Sequence, residues 1–104
     1  MPIVGIMRHI DNADIQQLLP LYRQAGLTTV EITLNSPGAL AAIRECASRF
    51  GNTLNIGAGT VLSEQDLDNA LEAGAQFIVS PHIHEGIIKK CCAQNIPVFP
   101  GAFT

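Results

Sequence analysis

Apolar, β-branched runs begin near Ile3, Thr28, Thr53, Phe77 and Pro97, and a helical pattern follows each of the first four. The runs start 25, 25, 24 and 20 residues apart. A strand-plus-helix unit of that length, repeated head to tail, predicts a parallel α/β sheet. In the first helical stretch Ile15, Leu18, Leu19 and Tyr22 fall at i, i+3, i+4 and i+7, which predicts one apolar stripe. Asp11 or Asn12 can cap its start, and Gly26 supplies a left-handed stop. Pro20 lies inside the pattern and predicts a kink, because it withholds one backbone donor. The second helix is expected to begin with Ser36 as N-cap and Pro37 at the first helical position, and to end before Gly51. Ser63, with Asp66 three residues on, opens the third, and Gly74 closes it. The fourth is expected from Glu85 to Gln94, with Asn95 as its stop.

Five strands and four helices fit two architectures. One is a small open α/β sheet. The other is the first four and a half βα units of a (β/α)8 barrel, a fold of about 250 residues. The sequence stops at Pro100-Gly101-Ala102-Phe103-Thr104, and Thr104 stands where a helix cap belongs. An open sheet normally finishes on a covering helix, so the half barrel is favoured. Residues 1–104 then read as the N-terminal half of a single barrel domain whose C-terminal half is absent from the chain.

Composition agrees with buried strands. The chain is 47% hydrophobic and 14% charged, against about 25% charged in an average soluble domain, which rules out disorder. Its longest apolar runs are far below the ~18 residues that span a bilayer, so no membrane partner is expected. A net charge of −3 with no basic stripe argues against nucleic acid. Cys46, Cys91 and Cys92 are an odd set with one adjacent pair, which disulfide geometry disfavours. With no leader pattern at the N-terminus, reduced thiols in a cytoplasmic fold are expected.

In both architectures ligands bind at the carboxyl ends of the strands. Glu31 is the most informative residue there. In Thr29-Val30-Glu31-Ile32-Thr33-Leu34 the aliphatic side chains share one face, so Glu31 and Thr33 share the other. If the aliphatic face meets the helices, Glu31 points into the barrel interior, where burial raises a carboxyl pKa toward a general acid–base range. An edge strand would leave it in solvent instead. Arg8, just after the first strand, can clamp a carboxylate or phosphate through paired N–H donors. Gly57-Ala58-Gly59-Thr60 reads as a tight bend that lets backbone amides approach a ligand, with a hydroxyl at its end. Its spacing is not that of a dinucleotide fingerprint. His82 and His84 lack a carboxylate or cysteine companion and read as a polar turn and helix cap, not as metal ligands. Lys89 and Lys90, late in the fourth helix, suit its dipole and cannot reach the strand ends.

Five segments then occur in order: Val4-Gly5-Ile6-Met7-Arg8, Val30-Glu31-Ile32-Thr33-Leu34-Asn35-Ser36, Gly57-Ala58-Gly59-Thr60-Val61-Leu62, Ala73-Gly74-Ala75-Gln76-Phe77-Ile78-Val79-Ser80-Pro81 and Ile96-Pro97-Val98-Phe99-Pro100-Gly101. Together they resemble the N-terminal half of the 2-keto-3-deoxy-6-phosphogluconate / 2-keto-3-deoxy-6-phosphogalactonate aldolase family. The resemblance implies a (β/α)8 barrel, a homotrimer when complete, that cleaves a phosphorylated 2-keto-3-deoxy sugar acid to pyruvate and glyceraldehyde 3-phosphate. It implies class I chemistry, in which a lysine forms an imine with the keto group and no metal or other cofactor takes part. Carried over residue by residue, Glu31 matches the proton-shuttling glutamate and Arg8 the arginine at the substrate carboxylate. Thr60 and Pro81 match residues of the pyruvate pocket. Asn35 stands where galactonate-type enzymes have asparagine and gluconate-type enzymes arginine, which tilts the substrate toward the galactonate side. The family's imine lysine, on the sixth strand in a Lys-x-Phe-Pro context, has no match here, nor does the phosphate site after strands seven and eight. The chain alone is therefore expected to be inactive. The alternatives are a non-catalytic fragment that associates through its open edges and another barrel enzyme acting on phosphorylated metabolites.

Overall fold

The computed structural model describes residues 4–8, 10–81 and 83–100. Strands and helices alternate: β1 (Val4–Met7), α1 (Asn12–Gln24), β2 (Thr29–Thr33), α2 (Ala39–Phe50), β3 (Asn55–Gly59), α3 (Glu64–Ala73), β4 (Phe77–Ser80), α4 (Glu85–Ala93) and β5 (Val98–Pro100). The strands form one parallel sheet in the order β1-β2-β3-β4-β5. Sequential order with parallel pairing is the topology of a (β/α)8 barrel, here incomplete.

Register assigns the two faces of the sheet. Met7 pairs with Ile32, Ile32 with Ala58, Ala58 with Ile78, and Ile78 with Val98. Paired residues of a parallel sheet project to one side, and alternate positions to the other. This row meets the helices, where Ile15, Leu19, Ile43, Cys46, Leu67, Ala70, Ile87 and Cys91 complete the core. The opposite face carries the row Ile6, Glu31, Gly57 and Phe77, and among the described residues no helix packs on it.

Helix boundaries follow the expected punctuation with two corrections. Ser63 Oγ accepts from the Asp66 amide at 3.1 Å, and Gly74 ends α3 at φ 106°. Asn95, at φ 56°, follows α4, and Gly26, at φ 85°, follows α1. Asp11 is the N-cap of α1 without a side-chain bond, and the helix runs unbroken through Pro20. The first correction concerns α2, whose N-cap is Gly38 at φ 70° rather than Ser36. The Ser36 hydroxyl is instead 2.9 Å from Thr33 Oγ1, inside the turn that precedes the helix. The second concerns the α1 stripe, where Ile15 and Leu19 are buried but Leu18 is exposed. Gln16 takes the inner place because α2 packs there with polar partners. Its Nε2 donates to Asn12 Oδ1 at 2.9 Å and to Cys46 Sγ at 3.1 Å, and its Oε1 accepts from Arg49 at 2.9 Å. The thiols of Cys46, Cys91 and Cys92 are free.

The uncovered face is apolar at its margins: Ile6 and Phe99 are each 58% exposed and Val4 42%. They lie on β1 and β5, the two edge strands, whose outer backbone groups lack a sheet partner among the described residues. Edges of this kind pair with other chains. The 104-residue chain is therefore expected to self-associate, with a molecular mass by light scattering that rises with concentration. Ile6→Lys should restore the monomer mass, and an unchanged mass would remove this face from the interface. Among the described residues no helix is long and apolar enough to cross a membrane.

Candidate active site

The site begins with the parity of β2. Val30 and Ile32 are buried against the helices, which turns Glu31 and Thr33 to the opposite face. Because β2 lies between β1 and β3, Glu31 is interior to the sheet and only 7% exposed. The edge-strand reading is thereby removed. Burial raises the Glu31 carboxyl above its ordinary value of 4.5, and the Arg8 guanidinium opposes part of that rise.

Arg8 leaves the end of β1, one residue past Met7, and is exposed. Two contacts hold its strand in place. Thr33 Oγ1 donates to the Met7 carbonyl at 3.4 Å. On the helix side the Tyr22 hydroxyl accepts from the Gly5 amide at 2.8 Å and donates to the Thr29 carbonyl at 2.5 Å. Gly5 has no side chain because the Tyr22 ring fills that space, 2.7 Å from where a Cβ would stand.

A cleft of about 140 Å³ opens at the carboxyl ends of the strands, lined by Ile6, Arg8, Glu31, Thr60, Val79 and Pro81. Four of the five expected site residues thus share one cleft. The fifth, Asn35, is exposed on the turn after β2 and is not among the lining residues. Ile6 and Val79 are apolar and carry no chemical signal in the sequence that would mark them as lining residues. Their signal was parity: Ile6 is directly in register with Glu31. One carboxylate, one guanidinium and one hydroxyl thus meet apolar walls in a space of about 140 Å³.

Gly57-Ala58-Gly59 is not the bend expected from its glycines. It is the body of β3, and neither glycine has a positive φ. Ala58 faces the helices, while Gly57 and Gly59 face the cleft side. The left-handed residue is Thr60, at φ 57°. The Leu34 amide donates to the Gly59 carbonyl at 2.9 Å, and the Val61 amide to the Val79 carbonyl at 3.2 Å. These bonds on either side of Thr60 hold it in a conformation that costs an L-residue about 1–2 kcal/mol. Thr60→Gly is therefore expected to hold or raise the urea midpoint although it removes a side chain. Thr60→Ala keeps the strain and should lower that midpoint, and equal losses in both variants would show that no strain is stored.

The remaining chemical candidates belong to the scaffold. His84 caps α4, its Nδ1 accepting from the Ile87 amide at 3.3 Å; His82 lies outside the described residues. Among those residues no group of three His, Cys, Asp or Glu side chains could hold a metal ion. Lys89 pairs with Glu85 at 3.1 Å, and Lys90 with Asp68 and Glu64 at 3.3 and 3.5 Å. Both lysines are thus engaged on the helix layer, and neither lines the cleft.

With this geometry in place, known proteins give the family. The family model for KDPG and KHG aldolases matches residues 1–104. The 2-dehydro-3-deoxy-6-phosphogalactonate aldolase of Escherichia coli K12 is 34% identical over 100% of this chain and 51% of its own length. The 2-dehydro-3-deoxy-phosphogluconate aldolase of Zymomonas mobilis is 36% identical over 96% of this chain and 47% of its own. Among solved structures, one described as native KDPGal superposes with a TM-score of 0.89 at 33% identity, covering 94% of this chain and 48% of that one. KDPG aldolase from Legionella pneumophila, holding pyruvate as a covalent carbinolamine, superposes at 0.86 with 26% identity, over 95% of this chain and 48% of its own. The chain spans about half the length of these relatives. A matched family model along the whole sequence, five parallel strands in barrel order and these identities lead to one statement: the chain belongs to the KDPG and KHG aldolase family.

Proposed function

We propose that the chain supplies the N-terminal half of a class I aldolase barrel and, with it, the proton-transfer and carboxylate-binding side of the active site. The complete enzyme would cleave a phosphorylated 2-keto-3-deoxy sugar acid to pyruvate and glyceraldehyde 3-phosphate, as a cytoplasmic homotrimer. One observation supports the reading above others: Arg8, Glu31, Thr60 and Pro81 line a single cleft at the strand ends.

Each group has a role suited to its chemistry. Arg8, cationic and exposed, would hold the keto acid carboxylate. Thr60 offers a hydroxyl, and Pro81 with Ile6 and Val79 an apolar wall. Glu31 would take the proton from the substrate hydroxyl as the carbon–carbon bond breaks, while the electron pair moves toward a protonated imine. That imine needs a lysine, and the two lysines of the chain are held in ion pairs on α4. Without an electron sink Glu31 can move a proton but cannot stabilise a carbanion. Asn35, which does not line the cleft, would tilt the substrate toward the galactonate side through the resemblance alone. The two relatives, at 34% and 36% identity, do not separate the epimers.

Borohydride reduction in the presence of pyruvate tests the reading. The 104-residue chain should yield no covalent adduct by mass spectrometry. A complete barrel carrying this half should gain the mass of a reduced pyruvyl adduct on a lysine outside residues 1–104. An adduct on Lys89 or Lys90, or none on the complete barrel, overturns it. The second reading, a non-catalytic associating fragment, draws on the exposed Ile6 and Phe99 and is left standing only by the latter outcome.

A further inference from the structure

The path of the Glu31 side chain is determined by what its neighbours on β3 lack. A Cβ built on Gly59 would fall inside the Glu31 side chain, and its three nearest heavy atoms are the Oε2, Cδ and Cγ of that one residue. The φ of Gly59 is not positive, so its backbone is open to any residue. A side chain there would meet the Glu31 side chain, whose outer atoms would have to move aside. The backbone cannot retreat, since Gly59 pairs with Thr33 and its carbonyl accepts from the Leu34 amide at 2.9 Å. Two residues earlier the arrangement repeats. A Cβ on Gly57 would fall within the ring of Phe77, which is buried. Gly57 stands between Glu31 and Phe77 in one row of the sheet. The ring thus fills the space beside the root of Glu31, and the free direction is forward, over Gly59.

We propose that Gly59 is a positioning residue for Glu31: its bare Cα seats the carboxylate at the cleft, while the Phe77 ring on Gly57 closes the neighbouring seat. The consequence for turnover rests on the reading of Glu31 as the proton shuttle, whereas the seating itself is a property of this half alone.

A double-substitution cycle in the 104-residue chain tests it, using Gly59→Ala, Glu31→Ala and the pair. Gly59→Ala should lower the urea midpoint while Glu31 is present and leave it level or raised in the Glu31→Ala background. The Glu31 carboxyl titration, followed by carbon NMR, should move down toward its ordinary value in Gly59→Ala, because the displaced carboxylate gains water. If Gly59→Ala alone does not fold, folding of the pair carries the same conclusion. Equal losses in both backgrounds with an unmoved titration would overturn the proposal, as would a pair that fails to fold where Glu31→Ala folds. Borohydride trapping in the complete barrel reads lysine chemistry and is independent of these outcomes.

Discussion

In a complete barrel carrying this sequence as its first half, Glu31→Gln is expected to lower kcat about 10²–10⁴-fold, the range set by removing a positioned proton-transfer group. Glutamine keeps the length of the side chain and its forward path over Gly59, so the cleft retains its shape. Arg8 and Thr60 are untouched, and KM should change little. The loss therefore falls on kcat and kcat/KM together, which marks an interaction made in the transition state rather than in binding. Steady-state turnover with a phosphorylated keto acid reads the effect. A kcat within a few-fold of the parent would mean that another group moves the proton.

The same substitution has an opposite effect on stability. Burial raises the folded Glu31 carboxyl above 4.5, while the unfolded chain titrates near that value. Between the two, the folded state binds the proton more tightly, so the contribution of Glu31 to stability is present below pH 4.5 and is lost as pH rises through the folded value. Glutamine does not ionise. Glu31→Gln should therefore be more stable than the parent chain at pH 7, by a margin that shrinks toward pH 4 in urea titrations. Removing the carboxylate thus exchanges function for stability, the pattern expected where a buried acid is kept for chemistry.

Much of this was legible in the sequence because one-dimensional patterns report it directly. The 24–25-residue repeat, the Ser63–Asp66 cap and Gly74 are local signals, and the structure follows each. The inward aim of Glu31 follows from strand parity once Val30 and Ile32 are assigned to the helix side. What was not legible depends on contacts between strands. Gly57 and Gly59 read as a bend because glycine is the usual turn residue, yet here each is small to admit a side chain from a neighbouring strand. No local pattern distinguishes those two reasons for a glycine. Ser36 likewise read as a cap, yet its hydroxyl lies against Thr33 Oγ1 and the helix starts after Gly38. Leu18 lost its inner place to Gln16 only because Cys46 and Arg49 of α2 offer partners there. The strain at Thr60 is likewise imposed by the sheet bonds on either side of it.

Ile43→Ala is expected to destabilise the chain by about 2–5 kcal/mol, the cost of a large-to-small change at a site that cannot collapse. Ile43 is 0% exposed and lies on α2, the helix that packs on β2 and β3 as well as on α1 and α3. Its neighbours come from several elements fixed in one register, so none can move in to fill the space without disturbing another. The loss weighs more here than in a complete barrel. Among the described residues helices pack on only one face of the sheet, and a domain of ordinary stability has only about 5–15 kcal/mol in all. Urea unfolding should show a large drop in midpoint or no folded baseline, whereas Leu62→Ala, at a residue 52% exposed, should stay within about 0.5 kcal/mol of the parent. Equal effects at the two positions would mean that the helix–sheet layer around α2 does not carry the fold, and with it the platform from which β2 aims Glu31.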